Sequence, residues 1–478
     1  MKKRSSALPP GTGIVPIFLI LITPAVHAAP ICPSDLPAQI DTITNDAKFD
    51  RATWGILVQT QTRQTLYAQN AKKFLIPASN VKLLTTAAAL QALPKDFRVK
   101  TSVYKLGGDR YLVQGEGDPS LNDVQLDKLA QQIKQSGVKQ IKELVLDDKI
   151  FGDETVPPNW EVEDIQSDYA PPINGLIVNE NTIGLTLKPT QINQPLEYQW
   201  QQPDDRQRYQ IENLTKTVNA DQPEFLSVSQ PTVGVVRLTG QLRIGAEAEP
   251  IGFAVQDPLN HFRDRFTTAL KKVGISIQDA VKDPKQDLKS PRSFNVAMSS
   301  KPIAQVLSPA LPEWIQETNL NSNNLYAETL LRSLGTPDKT RKNAIVNVQT
   351  HLTTLGVSST TYHLTDGSGL SRTNLVSPEA FVQVLNALEK NATFRSSLPV
   401  AGQPGSLKTR FNNTSAQGIV QAKTGYLTGA IALSGYVQPP HYQPLVFSIL
   451  LNHSTQDLDT QRTAVDAIVI LLASLKAC

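Results

Sequence analysis

The stretch IPASNVKLLTTAAAL, Ile76–Leu90, begins with a serine and a lysine three residues apart and continues as an apolar segment. From Leu83 onward its only polar residues are threonines, so the pattern predicts a helix that is buried on nearly all sides. Pro77 suits the approach to a helix start, and Ser79 suits its cap or first turn. Lys82 follows Ser79 by three residues, which places both side chains on one helical face. A simple alternative stays open here: Ser79 caps the helix and Lys82 extends to the surface.

Strand-like segments lie on both sides of this helix in the sequence. TWGILVQT (Thr53–Thr60) and QTLYAQ (Gln64–Gln69) precede it as the two strands of a hairpin. Near the other end of the chain, IVQAKT, AIALSGYV (Ala430–Val437) and LVFSILLN have the pattern of three strands joined by short turns. A long apolar helix follows, at roughly Gln456–Lys476. These segments predict one five-stranded antiparallel sheet, closed by both ends of the chain and flanked by helices.

The middle of the chain has a different pattern. Residues 98–289 contain many short strand-like runs broken by Pro, Gly and Asn, with one clear helix near Val124–Ser136 that ends at Gly137. After about Phe294 the pattern is helical again. The chain is therefore predicted to be an α+β protein. Residues 29–97 and 295–478 would form an outer domain, and residues 98–294 would form one or two inserted β-rich modules.

The first residues predict export. Lys2–Arg4 precede an apolar run, Ile14–Ile22, and the small residues of Ala25–Ala28 suit signal peptidase. Residues 1–28 therefore have the pattern of a secretory signal, and the apolar run is too short to span a membrane. Its removal leaves 43 basic and 43 acidic residues, a balance that disfavours a nucleic-acid partner. No other run of about 18 apolar residues exists, so no transmembrane segment is expected in the mature protein.

The chain has two cysteines, Cys32 and Cys478, one near each end of the mature protein. In an exported protein they could form a disulfide if the termini meet, as the predicted sheet would allow. Two unpaired thiols are the alternative.

Two further motifs change the interpretation of Ser79 and Lys82. Ser322-Asn323-Asn324 lies at the mouth of a predicted helix, and Lys423-Thr424-Gly425 lies at the end of a predicted strand. Each motif is weak by itself, but the three in this order in an exported chain are the pattern of penicillin-reactive serine enzymes.

The sequence resembles the class C low-molecular-mass penicillin-binding proteins, the D-alanyl-D-alanine carboxypeptidase/endopeptidase family. GEGDPSL (Gly115–Leu121), YAPPINGLIVNEN (Tyr169–Asn181) and DGSGLSRTNLVSP (Asp366–Pro378) also look like blocks of that family. The long interval between the first two motifs allows a large insertion, for which class A β-lactamases have no room. The family usually has Ser-Asp-Asn where this chain has Ser-Asn-Asn. The resemblance implies a penicillin-binding, β-lactamase-like transpeptidase fold for the outer domain.

The chemistry of acyl transfer indicates a catalytic pair. A serine hydroxyl is a weak nucleophile until a base removes its proton. Lys82 can be the base for Ser79 if burial and neighbouring cations lower its pKa, and Lys423 is the natural neighbouring cation. The histidines show no catalytic motif; after the signal they are His261, His351, His363, His441 and His453.

The other motif residues suggest how the substrate is held. Ser322 could relay a proton to the departing amine, and Asn324 could hold Lys82 and the substrate amide. Lys423 and Thr424 would bind the terminal carboxylate of the peptide. This chemistry requires neither a metal nor a cofactor.

The end of the Lys-Thr-Gly strand suggests the site of the oxyanion. The backbone N–H groups of Ser79 and Tyr426 would bind it. Gly425 would let the substrate backbone lie close along the edge strand.

Two residues could recognise the side chain of the stem peptide's diamino acid. Arg372 could bind its carboxylate, and the alternative is a surface arginine that braces its loop. The resemblance implies that an acid of the inserted domain takes the amino group. Asp164 matches that acid only with a one-residue gap, and a solvated acid beside Glu161 and Glu163 is the alternative.

These observations predict a periplasmic serine DD-peptidase. It would remove the terminal D-alanine from peptidoglycan stem pentapeptides and hydrolyse D-Ala–diamino acid cross-links through an acyl-enzyme on Ser79. β-Lactams would acylate it. A D-amino-acid amidase, an esterase or a weak β-lactamase on the same scaffold is one alternative, which the large insertion disfavours. A non-catalytic cell-wall-binding protein is the other, which the complete set of motifs disfavours.

Overall fold

A computed structural model describes residues 30–282 and 301–478 of the chain. The predicted signal peptide, residues 1–28, and the predicted domain boundary at residue 294 lie outside the described residues. In the described part, no helix combines the length and the apolar character that crossing a membrane requires.

The helices and strands follow one another in three groups. Before the insertion come α1 (Leu36–Thr44), β1 (Thr53–Thr60), β2 (Thr65–Gln69) and α2 (Val81–Ala92). The inserted part contains β3 (Lys100–Gly107), β4 (Arg110–Gly115), α3 (Asp123–Gln135), β5 (Gln140–Asp147), β6 (Thr182–Lys188), β7 (Glu197–Trp200), β8 (Gln210–Val218), β9 (Phe225–Thr232), β10 (Val235–Arg243), β11 (Glu249–Ala254), α4 (Pro258–Lys272), β12 (Ser276–Lys282) and β13 (Ala304–Leu307). The last group is α5 (Leu311–Leu320), α6 (Asn324–Ser333), α7 (Arg341–Thr354), β14 (Tyr362–His363), β15 (Leu375–Val376), α8 (Pro378–Leu388), α9 (Ala392–Ser397), β16 (Val420–Leu427), β17 (Ala430–Val437), β18 (Leu445–Asn452) and α10 (Leu458–Ala473).

The predicted five-stranded antiparallel sheet is present, which confirms the fold class. Its strand order is β16-β17-β18-β1-β2. β17 and β18 are buried along their whole length because both faces of the sheet are covered. Alternate residues of these strands belong to two different cores, one built with α2 and α8 and the other with α1 and α10. β16 is an edge strand, and it lies beside the short turn that precedes α2.

The inserted part is built from three further sheets. The five-stranded one has the order β12-β5-β4-β3-β13 and packs against α3 and α4. Two three-stranded sheets, β11-β6-β7 and β8-β10-β9, share a second small core. The prediction of one helix in this part was wrong, because α4 is a second one. Its apolar residues Phe262, Phe266, Ala269 and Leu270 follow helical spacing among charged residues, a pattern that the neighbouring strand-like runs obscured.

The segment predicted to be helical after Phe294 contains a strand among its described residues, which begin at residue 301. β13 is a strand that pairs with β3, so the inserted sheet continues to Leu307. The following helix, α5, begins at Leu311 with a proline in its first turn. Cross-strand hydrogen bonds to β3 stabilise β13 as a strand, and the sequence of β13 does not reveal that pairing. The division of the chain into domains stays a prediction.

The two ends of the described chain meet. Cys32 and Cys478, which are 446 residues apart in sequence, form a disulfide. Ile31 and Leu475 pair beside it as an isolated β-bridge. The disulfide thus joins the segment before α1 to the segment after α10, the two helices that cover one face of the main sheet.

Candidate active site

Ser79 lies in a single 3-10 turn, Ala78–Asn80, that continues directly into α2. Every residue of α2 from Val81 to Ala89 is buried, as the sequence predicted. Asn80 anchors the turn to the main sheet, because its Nδ2 donates to Ser434 Oγ at 2.7 Å. The turn therefore holds the partly exposed Ser79 at a fixed place between the sheet and the helix.

Two glycines allow other segments to approach the backbone of this turn. A Cβ atom on Gly425 of β16 would lie 2.8 Å from Pro77 O and 3.1 Å from Ser79 N. Gly369 has a φ of +84°, and a Cβ atom there would lie 1.9 Å from Ala78 O. Glycine is required at Gly369 both for its conformation and for this close approach.

Lys82 has no exposed surface, so the alternative in which it extends to the surface is wrong. Its Nζ donates to three oxygens: Ser79 Oγ at 2.9 Å, Asn324 Oδ1 at 2.5 Å and Ser368 O at 2.8 Å. Burial lowers the pKa of Lys82 to about 7, against the negative charges of Asp366 and Glu328, which raise it. A large share of the Lys82 amine is therefore neutral near pH 7 and able to accept a proton.

The sequence predicted two causes for a lowered pKa of Lys82, its burial and the charge of Lys423, and only the first is the main one. Burial, and not the charge of Lys423, is the main cause of the lowered pKa of Lys82. The pKa of Lys423 is itself well below its usual value, first because of burial and second because of the charge of Lys82. Lys423 Nζ donates to Ser322 Oγ at 2.8 Å and to Thr424 O at 2.9 Å.

The Ser-Asn-Asn motif forms the start of α6. Ser322 has a positive φ of +59°, and the Asn323 side chain caps the helix by accepting a hydrogen bond from the N–H of Tyr326 at 3.1 Å. Asn324 uses both ends of its amide, since its Oδ1 accepts from Lys82 and its Nδ2 donates to Tyr169 O of the inserted part at 2.7 Å. This turn points Ser322 toward Lys423 and Asn324 toward Lys82.

These groups meet at one cavity of about 500 Å³. The predicted site residues on its wall are Ser79, Asp164, Ser322, Asn324, Arg372, Thr424, Gly425 and Tyr426. Lys82 and Lys423 lie just behind this wall with no exposed surface. Among the described residues that line the cavity there is no histidine, which leaves the lysines as the basic groups next to Ser79.

Arg372 and Asp164 line the cavity, and both also have protein partners. Arg372 Nε forms a salt bridge with Glu161 Oε1 at 2.8 Å, and its Nη1 donates to Thr428 O at 2.9 Å. Asp164 Oδ1 accepts a hydrogen bond from Tyr169 OH at 2.6 Å. Each side chain therefore braces its surroundings and faces the cavity at the same time.

The sequence analysis missed two buried carboxylates. Glu328 of α6 and Asp366 have no exposed surface, and both act on the charge of Lys82. Glu328 offered a usable signal, because it is a charged residue one helical turn after Asn324, on the same helix face as the motif residue. Ser406 was also missed: its Oγ accepts from Thr424 Oγ1 at 2.9 Å, and nothing in its local sequence indicates this.

The chain is similar to several known proteins. The model of the D-Ala-D-Ala carboxypeptidase 3 (S13) family matches residues 36–474. Penicillin-sensitive carboxypeptidase A of Dictyostelium discoideum is 29% identical over 490 residues, which cover 92% of this chain and 91% of that protein. D-Alanyl-D-alanine carboxypeptidase of Actinomadura sp. (strain R39) is 31% identical over 470 residues, covering 92% and 85%. The crystal structure of penicillin binding protein 4 (DacB) from Haemophilus influenzae superposes with a TM-score of 0.74 at 23% identity. It covers 92% of this chain and 98% of that one, which supports the fold.

Proposed function

The chain belongs to the D-Ala-D-Ala carboxypeptidase 3 (S13) family and is a serine carboxypeptidase, and from this premise we propose that it acts on peptidoglycan stem peptides through an acyl-enzyme on Ser79. The observation that carries the proposal is the contact between Lys82 Nζ and Ser79 Oγ, 2.9 Å long, in a buried setting that lowers the pKa of the amine. A neutral amine at this distance can accept the hydroxyl proton directly.

The first half of the reaction acylates the enzyme. Ser79 Oγ attacks the carbonyl carbon of the penultimate D-alanine while its proton moves to Lys82 Nζ. The resulting oxyanion is held by the backbone N–H groups of Ser79 and Tyr426. When the C–N bond breaks, the proton held by Lys82 passes through the Ser322 hydroxyl to the departing D-alanine amine, so Lys82 is neutral again in the acyl-enzyme. Ser322 Oγ is held in place by Lys423 Nζ at 2.8 Å.

The second half releases the product. A water molecule attacks the Ser79 ester and gives up a proton to Lys82, and the ester C–O bond then breaks as Ser79 Oγ regains its proton. The products are the shortened stem peptide and the free enzyme. Lys82 accepts and returns a proton in both halves, so its protonation state controls both rates.

The carboxylate of the departing D-alanine must be bound by hydrogen-bond donors of the protein. Thr424 lies on the cavity wall with Ser406 2.9 Å away, and Lys423 lies directly behind them. Two hydroxyl groups and the Lys423 amine supply hydrogen-bond donors that suit a terminal carboxylate. The exposed edge of β16, from Gly425 onward, can pair with the extended peptide as an added strand.

We extend the proposal to the substrate side chain and to cross-links. A diamino acid that has an amino group and a carboxylate on one carbon would find Asp164 and Arg372 on the same wall of the cavity. Hydrolysis of a D-Ala–diamino acid cross-link uses the same steps, because only the leaving amine changes. The signal-like residues 1–28 and the disulfide suit an exported enzyme in the periplasm.

The direct test is intact-protein mass spectrometry with and without benzylpenicillin, followed by peptide mapping. We expect a single adduct on Ser79, no adduct in Ser79→Ala, and an acylation rate in Lys82→Ala reduced about as severely as in Ser79→Ala, because the pair acts as a unit. Near-normal acylation of Lys82→Ala would contradict the role of Lys82. A folded protein that gives neither adduct nor penicilloate would favour the cell-wall-binding alternative.

A second assay separates the proposal from the amidase and esterase alternatives. A stem pentapeptide should lose its terminal D-alanine, and a cross-linked dimer of stem peptides should be separated into monomers. Turnover confined to small D-amino-acid amides or esters would contradict the peptidoglycan assignment.

A further inference from the structure

A buried glutamate connects α6 to the loop that holds the Lys82 amine. Glu328 has no exposed surface, and its Oε1 accepts the backbone N–H groups of Gly367 at 2.9 Å and Ser368 at 2.8 Å. The carbonyl oxygen of the same Ser368 accepts from Lys82 Nζ at 2.8 Å. The position of one acceptor of the Lys82 amine therefore depends on Glu328.

The loop has a second carboxylate with a different task. Both oxygens of Asp366 accept hydrogen bonds mainly from within the loop; the donors are Gly369 N at 2.8 Å, Ser371 N at 2.7 Å, Asn374 Nδ2 at 2.7 Å and Trp160 Nε1 at 3.1 Å. Asp366 thus maintains the internal shape of the loop. Glu328 attaches the loop to α6, from which Asn324 also reaches Lys82.

The charges around Glu328 come from several elements. Lys82 lies on α2, Asp366 in the loop and Arg332 one turn further along α6, and each affects or is affected by the Glu328 charge. Arg332 donates to Glu154 Oε1 at 2.7 Å. Arg341 of α7 binds the same Oε1 at 2.8 Å, so Glu154 forms salt bridges with both arginines. Within the described residues, the second oxygen of Glu328 accepts no hydrogen bond.

We propose that Glu328 is a positioning residue for Lys82: it fixes the Gly367–Ser368 acceptor of the amine, and its negative charge sets the lowest pH at which the amine can take the Ser79 proton. The inference rests on the proposed role of Lys82 as the base. The negative charge of Glu328 stabilises the ammonium form, so it raises the pKa of Lys82 while burial lowers it. Burial also raises the pKa of Glu328, so its charge is gained over the pH range in which Lys82 loses its own.

The test is the pH dependence of the rate constant for acylation by benzylpenicillin. In the wild-type protein the rate should fall as the pH drops and Lys82 becomes protonated. Glu328→Gln keeps an acceptor oxygen for the two N–H groups but removes the charge. The pH at which the acylation rate drops should therefore be lower than in the wild type by about half a unit to one unit. Glu313→Gln is the matched control, because Glu313 is exposed in the first turn of α5. Its profile should coincide with that of the wild type.

The proposal would be overturned if the acylation rate of Glu328→Gln dropped at the same pH as that of the wild type, or at a higher pH. Glu328→Asp is the second variant, and it decides the matter if Glu328→Gln does not fold. It keeps the charge but withdraws the carboxylate from the loop. The acylation rate constant at high pH should therefore be at least about ten-fold lower, while the pH at which the rate drops should equal that of the wild type. A plateau equal to that of the wild type would overturn the positioning role. Failure of the proposed function would look different, because the wild-type protein would then form no Ser79 adduct.

Discussion

Lys82 has two properties that lysine rarely combines, complete burial and three hydrogen-bond acceptors within 2.9 Å. Burial favours the neutral amine. Its two N–H groups can donate to Asn324 Oδ1 and Ser368 O, which leaves its lone pair to accept from the Ser79 hydroxyl. A surface lysine would stay protonated near neutral pH and could not act as a base. Single residues of this site therefore acquire their chemistry from where the fold places them.

Arg372 offers a test of substrate recognition at the level of one side chain. Arg372→Ala should lower kcat/KM for a stem peptide with a free diamino acid by about 10- to 100-fold, since it removes a charged hydrogen-bond donor from the cavity wall. Turnover of a simple thioester without that side chain should stay near the wild-type rate. The comparison is made with the two substrates under identical conditions.

Glu161→Gln is the matched control for this experiment. It removes the salt-bridge partner of Arg372 but keeps the guanidinium in the cavity. Peptide turnover should therefore be retained. Equal losses on both substrates in Arg372→Ala would instead assign Arg372 to bracing its loop.

Two segments pack against the turn that contains Ser79. The edge strand β16 approaches from one direction and the Asp366–Gly369 loop from another, and each places a glycine against the backbone of the turn. The Lys-Thr-Gly and Asp-Gly-Ser-Gly sequences thus meet although they are distant in the chain. Their glycines make the contact possible because a side chain would occupy the same space.

Gly369→Ala tests this close approach. The new Cβ atom would lie 1.9 Å from Ala78 O, so the turn must shift, and we expect acylation to slow at least about ten-fold. Gly429→Ala is the matched control, because Gly429 also has a positive φ, +75°, but open space around it. That variant should lose about 1–2 kcal/mol of stability from backbone strain and keep its acylation rate. Similar acylation rates in the two variants would mean that the contact with the turn has no catalytic importance.

At the scale of the whole molecule, the cavity beside Ser79 is lined both by residues of the insertion and by residues outside it. Glu161 and Asp164 of the inserted part line the cavity, and Tyr169 O binds Asn324. Trp160 Nε1 donates to Asp366, and Glu154 binds Arg332 and Arg341 of the outer domain. The insertion is therefore a structural part of the site, although the Ser-x-x-Lys, Ser-Asn-Asn and Lys-Thr-Gly motifs lie outside it.

The disulfide between Cys32 and Cys478 is expected to stabilise the whole folded chain. Replacing both Cys32 and Cys478 by serine should lower the free energy of unfolding by about 2–5 kcal/mol, because the bond restricts a very long loop in the unfolded chain. Acylation by benzylpenicillin under native conditions should not change, since neither cysteine lines the catalytic cavity. Urea unfolding of the oxidised protein and of the double variant gives the difference. An unchanged unfolding midpoint would contradict the expected stabilisation.

The sequence alone determined the main sheet, the buried helix after Ser79, the meeting of the termini and the residues of the three motifs. These follow from local patterns: period-two strands, an apolar helix and short polar motifs at the ends of elements. It did not determine that β13 completes the inserted sheet, or that Glu328 supports the loop beside Lys82. It predicted burial as one cause of the lowered pKa of Lys82, but not that burial would be the main one. Those features depend on which surfaces pack together and how completely water is excluded, and only the tertiary structure decides this because the contacts join residues far apart in the chain.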